Sequence, residues 1–211
     1  IAGDMLTSQV SGSFAPALET VSALAEKYPV YYANGNHEYR VKTDTERYED
    51  RYERYAKQLR RAGVVLLENE SVLLPETGIR IFGVEIDMDY YKKLRKSVMK
   101  VSYLNSLLGR PCADEYNILL AHNPDYFQTY AGWGADLVLS GHVHGGIMRL
   151  PVLGGVLSPA LRLFPRYDGG LYEEGKSKMV LGRGLGTHTL PIRVFNPGEL
   201  IVVRLEPERG N

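Results

Sequence analysis

Apolar and polar positions recur along this chain with two periods, and the switch between them marks out the elements. From Ser13 to Tyr28, Leu18, Val21, Leu24, Ala25 and Tyr28 follow helical spacing, with Pro16 in the first turn and Pro29 as the stop. Val30–Ala33 predicts a short strand running into Gly35-Asn36-His37-Glu38. Residues 44–62 predict the clearest helix: Tyr48, Tyr52, Tyr55, Ala56 and Leu59 make one stripe, and Gly63 ends it. Asp44 and Glu46 near its start and Arg60 and Arg61 near its end suit the helix dipole. Short apolar runs at Val64–Leu67, Ser71–Leu74 and Ile79–Val84 predict strands, the last two joined by a turn at Pro75-Glu76-Thr77-Gly78. A helix is predicted over 90–108, with Leu94, Val98, Val101, Leu104 and Leu108 on one face. Asn117–Ala121 and Asp136–Ser140 predict strands that end at His122 and at Gly141-His142; Met179–Leu181 and Leu200–Leu205 are later strands. Helices alternating with strands, then mostly strands after Gly145, predict two packed sheets with outer helices.

Composition narrows the function classes. The 211 residues suit one domain with a core that needs no staple. Lys plus Arg and Asp plus Glu each total 25, so the formal charge is zero and a role coating duplex nucleic acid is disfavoured. The one cysteine, Cys112, excludes an internal disulfide framework and a multi-thiolate zinc site. With 44% apolar and 24% charged residues the chain is neither disordered nor fibrous. No apolar run reaches the ~18–20 residues that span a bilayer. Ile1-Ala2-Gly3-Asp4 reads as a strand end entering a loop, so further residues are expected upstream.

The candidate chemistry sits at strand ends. His37, His122, His142 and His144 follow predicted strands, as do Asp4 and Asn36. In α/β sheets that is where sites form. Singly, each has an ordinary reading: Gly3-Asp4 as a turn, Gly35-Asn36-His37-Glu38 as a turn with a helix cap, His122 as a structural histidine. Gly141-His142-Val143-His144-Gly145-Gly146 is more specific. Histidines at i and i+2 in extended chain face one side with Cα atoms about 6–7 Å apart, which suits one metal or two neighbouring ones. Flanking glycines permit close backbone approach. Cys112 lacks an activating motif, and Asp87 and Asp89 read as solvated turn acids. Arg183, Arg193 and His188 are candidate substrate-binding residues, with ion pairs or an exposed loop position as the alternatives.

The order Gly-Asp, Gly-Asn-His-Glu, single His, Gly-His-x-His resembles the calcineurin-like metallophosphoesterases. Gly145–Pro151, Gly169-Gly170-Leu171-Tyr172, Arg183-Gly184-Leu185-Gly186 and Leu190-Pro191-Ile192-Arg193 resemble its bacterial phosphodiesterase branch, with membrane-anchored members and UDP-2,3-diacylglucosamine hydrolases. The resemblance implies a two-sheet α/β/β/α sandwich holding two divalent ions (Mn, Fe or Zn) and hydrolysis of a phosphate ester, a diester or pyrophosphate, by a metal-activated water. It implies that Asp4 bridges the ions, that Asn36, His122 and His142 complete one site, and that His144 belongs to the other. His37 would bind no metal; it would contact the phosphate oxygen or protonate the leaving group, oriented by a neighbouring acid. The family's opening Asp-x-His is absent from this chain and is expected upstream with the first strand, so about one ion is expected here.

Residues 147–167 crowd apolar side chains, among them Leu153, Leu157, Leu161 and Phe164, punctuated by Arg149, Arg162 and Arg166. Two readings stand: a cap on the core, or a wall at the rim of the site for a lipid-linked substrate, with peripheral membrane contact. The branch resemblance leans toward the second, with a bacterial cytoplasmic or membrane-associated location. The rival class is a catalytically impaired scaffold that uses the same fold to bind protein.

Overall fold

The structure is a computed structural model, and it describes residues 1–92, 97–146, 148–150, 154–157, 165–186 and 193–206. Helix α1 (Ala15–Ala25) carries its proline in the first turn and buries Ala17 and Val21. Strand β1 (Tyr31–Ala33) leads into α2 (Asn36–Thr43), a helix that the sequence pattern did not separate from the turn before it. The helix expected over 44–62 is two, α3 (Thr45–Tyr48) and α4 (Arg51–Arg61), because Glu49 between them has φ 54°. A non-glycine residue in the left-handed region ends a right-handed helix. The tyrosine stripe survives the break, with Tyr48, Tyr52, Tyr55, Ala56 and Leu59 all buried.

Strands β2 (Val65–Leu67), β3 (Glu70–Leu74) and β4 (Ile79–Val84) match their predicted positions. Of the helix expected over 90–108, α5 covers Val101–Leu108 and Met88–Tyr91 is a 3-10 turn whose start is capped by Asp87, while residues 93–96, with Leu94, lie outside the described residues. After β5 (Tyr116–Ala121) comes an unpredicted short helix, α6 (Phe127–Trp133), stopped by Gly134 at φ 114°. The remaining strands are β6 (Leu137–Ser140), β7 (Met148–Leu150), β8 (Gly154–Leu157), β9 (Gly170–Glu174) and β10 (Ser177–Leu181). Strands β7 and β8 form a hairpin inside the apolar stretch 147–167; most of the rest of that stretch, including Leu153, Leu161 and Phe164, lies outside the described residues. The strand expected over 200–205 does not form: the segment has no ladder partner among the described residues, and Leu200 and Val202 are 82% and 89% exposed.

Six strands make one sheet in the order β3-β4-β5-β6-β10-β9, with β4, β5, β6 and β10 parallel and the two edges antiparallel. Strands β1 and β2 pair parallel in a second, smaller sheet, which Ala2 extends by a bridge to Ala33. Side-chain alternation sorts the layers. Ile81, Ile118, Leu120 and Leu137 meet Ala33 and Leu67 between the sheets. Phe82, Leu119, Val138 and Met179 face the other way, onto Leu104, Phe127, Tyr130 and Trp133 of α5 and α6. On the outer side of the small sheet, Tyr32 and Leu66 pack under Val21, Tyr55 and Leu59. Helices, small sheet, large sheet, helices: the expected two-sheet sandwich is the fold. Because its inner strands run parallel, the carboxyl ends of β4, β5 and β6 open on one edge.

This layering separates positions by cost. Leu119 is fully buried on a central strand, while Leu73 is 44% exposed on an edge strand. Leu119→Ala is expected to cost about 2–5 kcal/mol, which lowers the Tm by roughly 4–20 °C. Leu73→Ala is expected to stay within about 0.5 kcal/mol. Equal losses in a thermal melt followed by circular dichroism would contradict the assignment of layers.

Candidate metal centre

The site begins where the N-terminal segment runs beside β1. Ala33 N donates to Ile1 O at 3.0 Å, and the chain then turns at Asp4, whose φ is 54°. Gly3 and Gly35 pack backbone to backbone there: a methyl on Gly35 would overlap Asp4 Oδ1, and one on Gly3 would overlap the Gly35 main chain. Asp4 Oδ1 accepts from His37 N at 2.9 Å, in the first turn of α2. Behind it lies Glu38, fully buried. Its Oε2 accepts from Asp4 N (2.8 Å) and Gly35 N (3.0 Å), and its Oε1 from Leu6 N (2.9 Å) and the Tyr32 hydroxyl (2.8 Å). Burial, with the Asp4 charge added, raises the Glu38 pKa against these donors.

His122 enters from the end of β5 and His142 from the end of β6. His122 Nδ1 lies 2.6 Å from Ala2 O. A carbonyl only accepts, so Nδ1 carries the proton, and in the neutral ring Nε2 is a bare lone pair. That Nε2 is buried without an aligned hydrogen bond, 2.8 Å from Asp4 Oδ2. The two imidazoles stand at 75° with centroids 5.2 Å apart, and Asp4, His122 and His142 each offer one ligand atom within 4.8 Å of the others. Burial opposes ionisation of Asp4, but the neighbouring His122 more than offsets it and holds the carboxyl well below its usual range. Burial opposes charge on His122 too, and Asp4 outweighs it and raises that pKa. His142 is pushed down to about 3, mainly by burial and then by His122, so it is neutral, the ligand form, at physiological pH.

These residues fit a divalent metal. Carboxylate and imidazole donors together suit the borderline ions. Asn36, first residue of α2, adds a buried Oδ1 with no hydrogen-bond partner among the described residues. The bond from His122 Nδ1 to Ala2 O is the kind that fixes a ligating tautomer. His144 is not in the three-residue group; it follows His142 with φ 51°, and its carbonyl is taken by Asn196.

His37 stands beside the group, its side chain a third exposed and its Nε2 4.0 Å from Asp4 Oδ2. Asp4 is the acid beside that nitrogen. Ser8 holds the other one: its backbone N–H donates to His37 Nδ1 at 3.0 Å, with Ser8 Oγ at 2.9 Å. Nδ1 is therefore the acceptor, and the neutral ring carries its proton on Nε2, the nitrogen nearer Asp4. Burial lowers the His37 pKa, and Asp4 offsets part of this. Tyr91 is a wall that sequence patterning absorbed into a helix; its ring centroid lies 5.2 Å from that of His142 and 6.4 Å from that of His122. Glu38 is legible in the sequence as the acid three positions after the cap Gly35, where a capping box places one.

The candidate substrate-binding arginines are engaged elsewhere. Arg183 Nη2 pairs with Glu199 Oε1 at 2.7 Å. Arg193 Nη2 donates to Arg183 O at 2.9 Å and also to Gly186 O. His188 lies outside the described residues. Cys112 is exposed and free, and Asp87 serves as a turn cap.

Gly35→Ala is the substitution the packing tolerates least, since its methyl would meet the Asp4 carboxylate itself. It is expected to lower metal affinity by at least the 10–100-fold typical of lost ligand support, measured by Mn²⁺ titration. Gly63→Ala, where a methyl meets open space at a positive-φ helix end, is expected to change stability and leave metal affinity alone. Unaltered Mn²⁺ binding in Gly35→Ala would contradict the close packing of Gly35 on Asp4.

Comparison with known proteins points the same way as the geometry. The profile of the calcineurin-like phosphoesterase family matches residues 1–146. Phosphodiesterase YaeI of Escherichia coli K12 is 28% identical over 190 residues, 89% of this chain and 62% of that protein. The uncharacterized metallophosphoesterase YkuE of Bacillus subtilis 168 is 35% identical over 91 residues, 43% of this chain and 31% of that protein. An uncharacterized metallophosphoesterase of Aquifex aeolicus VF5 is 32% identical over 154 residues, 72% of this chain and 54% of that protein. The chain thus spans less than two thirds of each of these relatives. No solved structure matches the chain significantly. With Asp4, Asn36, His37, His122 and His142 all inside the matched segment, the chain belongs to the calcineurin-like phosphoesterase family.

Proposed function

We propose that this chain carries the site of a metal-dependent phosphoesterase acting on a phosphodiester or pyrophosphate. The observation that carries the reading is the convergence of Asp4, His122 and His142, ligand atoms within 4.8 Å of one another, from three separate parts of the chain. Asp4, Asn36, His122 and His142 hold one ion, of Mn, Fe or Zn. Asp4 and His144 contribute to a second. Divalent ions at such a centre supply Lewis-acid polarisation of the phosphoryl group and lower the pKa of bound water.

The protein's own groups do the rest. Asp4, kept ionised, supplies negative charge to the ions. The Ala2 carbonyl holds the His122 Nδ1 proton, so that Nε2 is the nitrogen facing the ions, and burial keeps His142 neutral. His37 presents a proton at Nε2, held there by the Ser8 amide, to a phosphoryl or leaving-group oxygen. No Ser, Cys or Asp nucleophile motif suggests a phospho-enzyme, so water attacks phosphorus directly. The diester preference draws on the name of the YaeI relative. A lipid-linked substrate and peripheral membrane contact through 147–167 remain part of the proposal on the apolar composition of that stretch alone. Among the described residues no helix is long and apolar enough to cross a membrane. Arg183 and Arg193 meet substrate in this reading by exchanging their present partners for it, and His188 is a substrate-binding candidate on its sequence position alone. The scaffold alternative draws no support from fold or relatives.

The test pairs two variants. His122→Ala is expected to lose bound metal and hydrolysis of a soluble aryl phosphodiester together. His37→Ala is expected to keep its metal and lower kcat by roughly 10²–10⁴, the usual share of a general acid. Metal content is read by elemental analysis, with about one ion per chain expected in the unaltered protein. Loss of metal in His37→Ala, or full metal and activity in His122→Ala, would sink the assignment of roles.

A further inference from the structure

The loop after β6 has an uncommon backbone. His142, His144, Gly145 and Gly146 all have positive φ, at 71°, 51°, 72° and 86°. Glycine adopts that region freely. A histidine there costs on the order of 1–2 kcal/mol and stays only where its surroundings hold it. Inside the loop, Val143 N donates to Gly141 O (2.8 Å) and Gly146 N to Val143 O (2.9 Å). The carbonyls of His144 and Gly146 are held from outside, by one nitrogen. Asn196 Nδ2 donates to His144 O at 2.6 Å and to Gly146 O at 2.7 Å.

That arrangement uses what a primary amide offers, two donors on one atom. Asn196 is 2% exposed; its bond to Gly146 O is buried and that to His144 O partly so. The contact is close: a methyl on Gly145 would run into Asn196 Oδ1 and the Arg183 side chain. Asn196 is itself anchored in a braced segment. Arg193 ties back to the carbonyls of Arg183 and Gly186, and Arg183 is locked to Glu199, which also accepts from Arg183 N at 3.2 Å. The motifs around Arg183, Arg193 and Asn196 thus form a clasp over the histidine loop.

We propose that Asn196 is a positioning residue for the metal centre: it fixes the left-handed turn that aims the His142 ring at Asp4 and His122. The proposal rests on the metal reading of that group. Removing the amide leaves His142 in place in sequence but releases the loop from a conformation it does not favour by itself.

The test is Mn²⁺ titration by calorimetry into protein stripped with EDTA, with the metal-free Tm taken on the same samples. Asn196→Ala and Asn196→Asp are compared with Ser177→Ala. Ser177 makes an equally buried side-chain-to-backbone bond, to Ala135 O at 2.6 Å, at the opposite end of the sheet from the loop. Both Asn196 variants are expected to weaken Mn²⁺ binding roughly 10–100-fold, the usual effect of losing outer support for a ligand. Ser177→Ala is expected to lower the metal-free Tm and leave Mn²⁺ affinity unchanged. Asn196→Asp keeps the side chain's size and exchanges the two donors for a carboxylate oxygen that only accepts, so it carries the test if the alanine variant does not fold. Asn196 variants that bind Mn²⁺ as the unaltered protein does, or that lose no more affinity than Ser177→Ala, overturn the proposal. Absence of Mn²⁺ binding by the unaltered protein would instead overturn the metal reading beneath it.

Discussion

The buried carboxylate of Glu38 accepts hydrogen bonds from the main chain at Asp4, Gly35 and Leu6 and from the Tyr32 hydroxyl, and so ties the N-terminal segment to the start of α2. Everything else at the site depends on that tie. It holds the Asp4 backbone in its left-handed turn, which brings the Asp4 side chain onto the His37 amide and to within reach of His122. Each buried donor left without its partner costs on the order of 1–3 kcal/mol, so the four bonds act as a unit. Burial raises the Glu38 pKa, and repulsion from the nearby Asp4 carboxylate adds to it. The arrangement is tolerable because Asp4 faces imidazoles on its other side and because a cation is the natural occupant of the space between them.

The strain has a pattern. Asp4, His142 and His144 are non-glycine residues with positive φ, and all lie at strand ends on the site edge. Such residues persist where neighbouring groups over-determine them. For Asp4 the neighbours are Glu38 and the two apposed glycines; for the histidine loop they are the Asn196 amide and the packing of Arg183 on Gly145. The N-terminal segment and the C-terminal clasp therefore brace opposite walls of one centre, with β5 and β6 supplying His122 and His142 between them.

Much of this was legible in the sequence because the signals were local. Short apolar runs at Asn117–Ala121 and Asp136–Ser140 predict strands, and His122 and His142 just beyond them fall at one edge once the strands pair parallel. What was not legible depends on contacts between distant segments. The tyrosine stripe of 44–62 keeps its period across Glu49, so nothing in the pattern announces the break. The run at 200–205 is apolar and β-branched like a strand, but a strand needs a partner, and none of the described residues pairs with it. Tyr91 faces the site from a 3-10 turn, and Ser8 orients His37 through its backbone, which no side-chain motif can encode. The arginines near 183 and 193 look like anion binders until Glu199 and the loop carbonyls are seen to occupy them.

The central claim is that residues from four strand ends converge on a cation. A crystal structure of the protein soaked with Mn²⁺, with an anomalous difference map, tests it most directly. A peak is expected, bonded at about 2.0–2.3 Å to an Asp4 carboxylate oxygen, His122 Nε2, a His142 ring nitrogen and Asn36 Oδ1. A map with no peak there at saturating Mn²⁺, or with the ion bound elsewhere while His122 Nε2 keeps only its contact to Asp4, would contradict it.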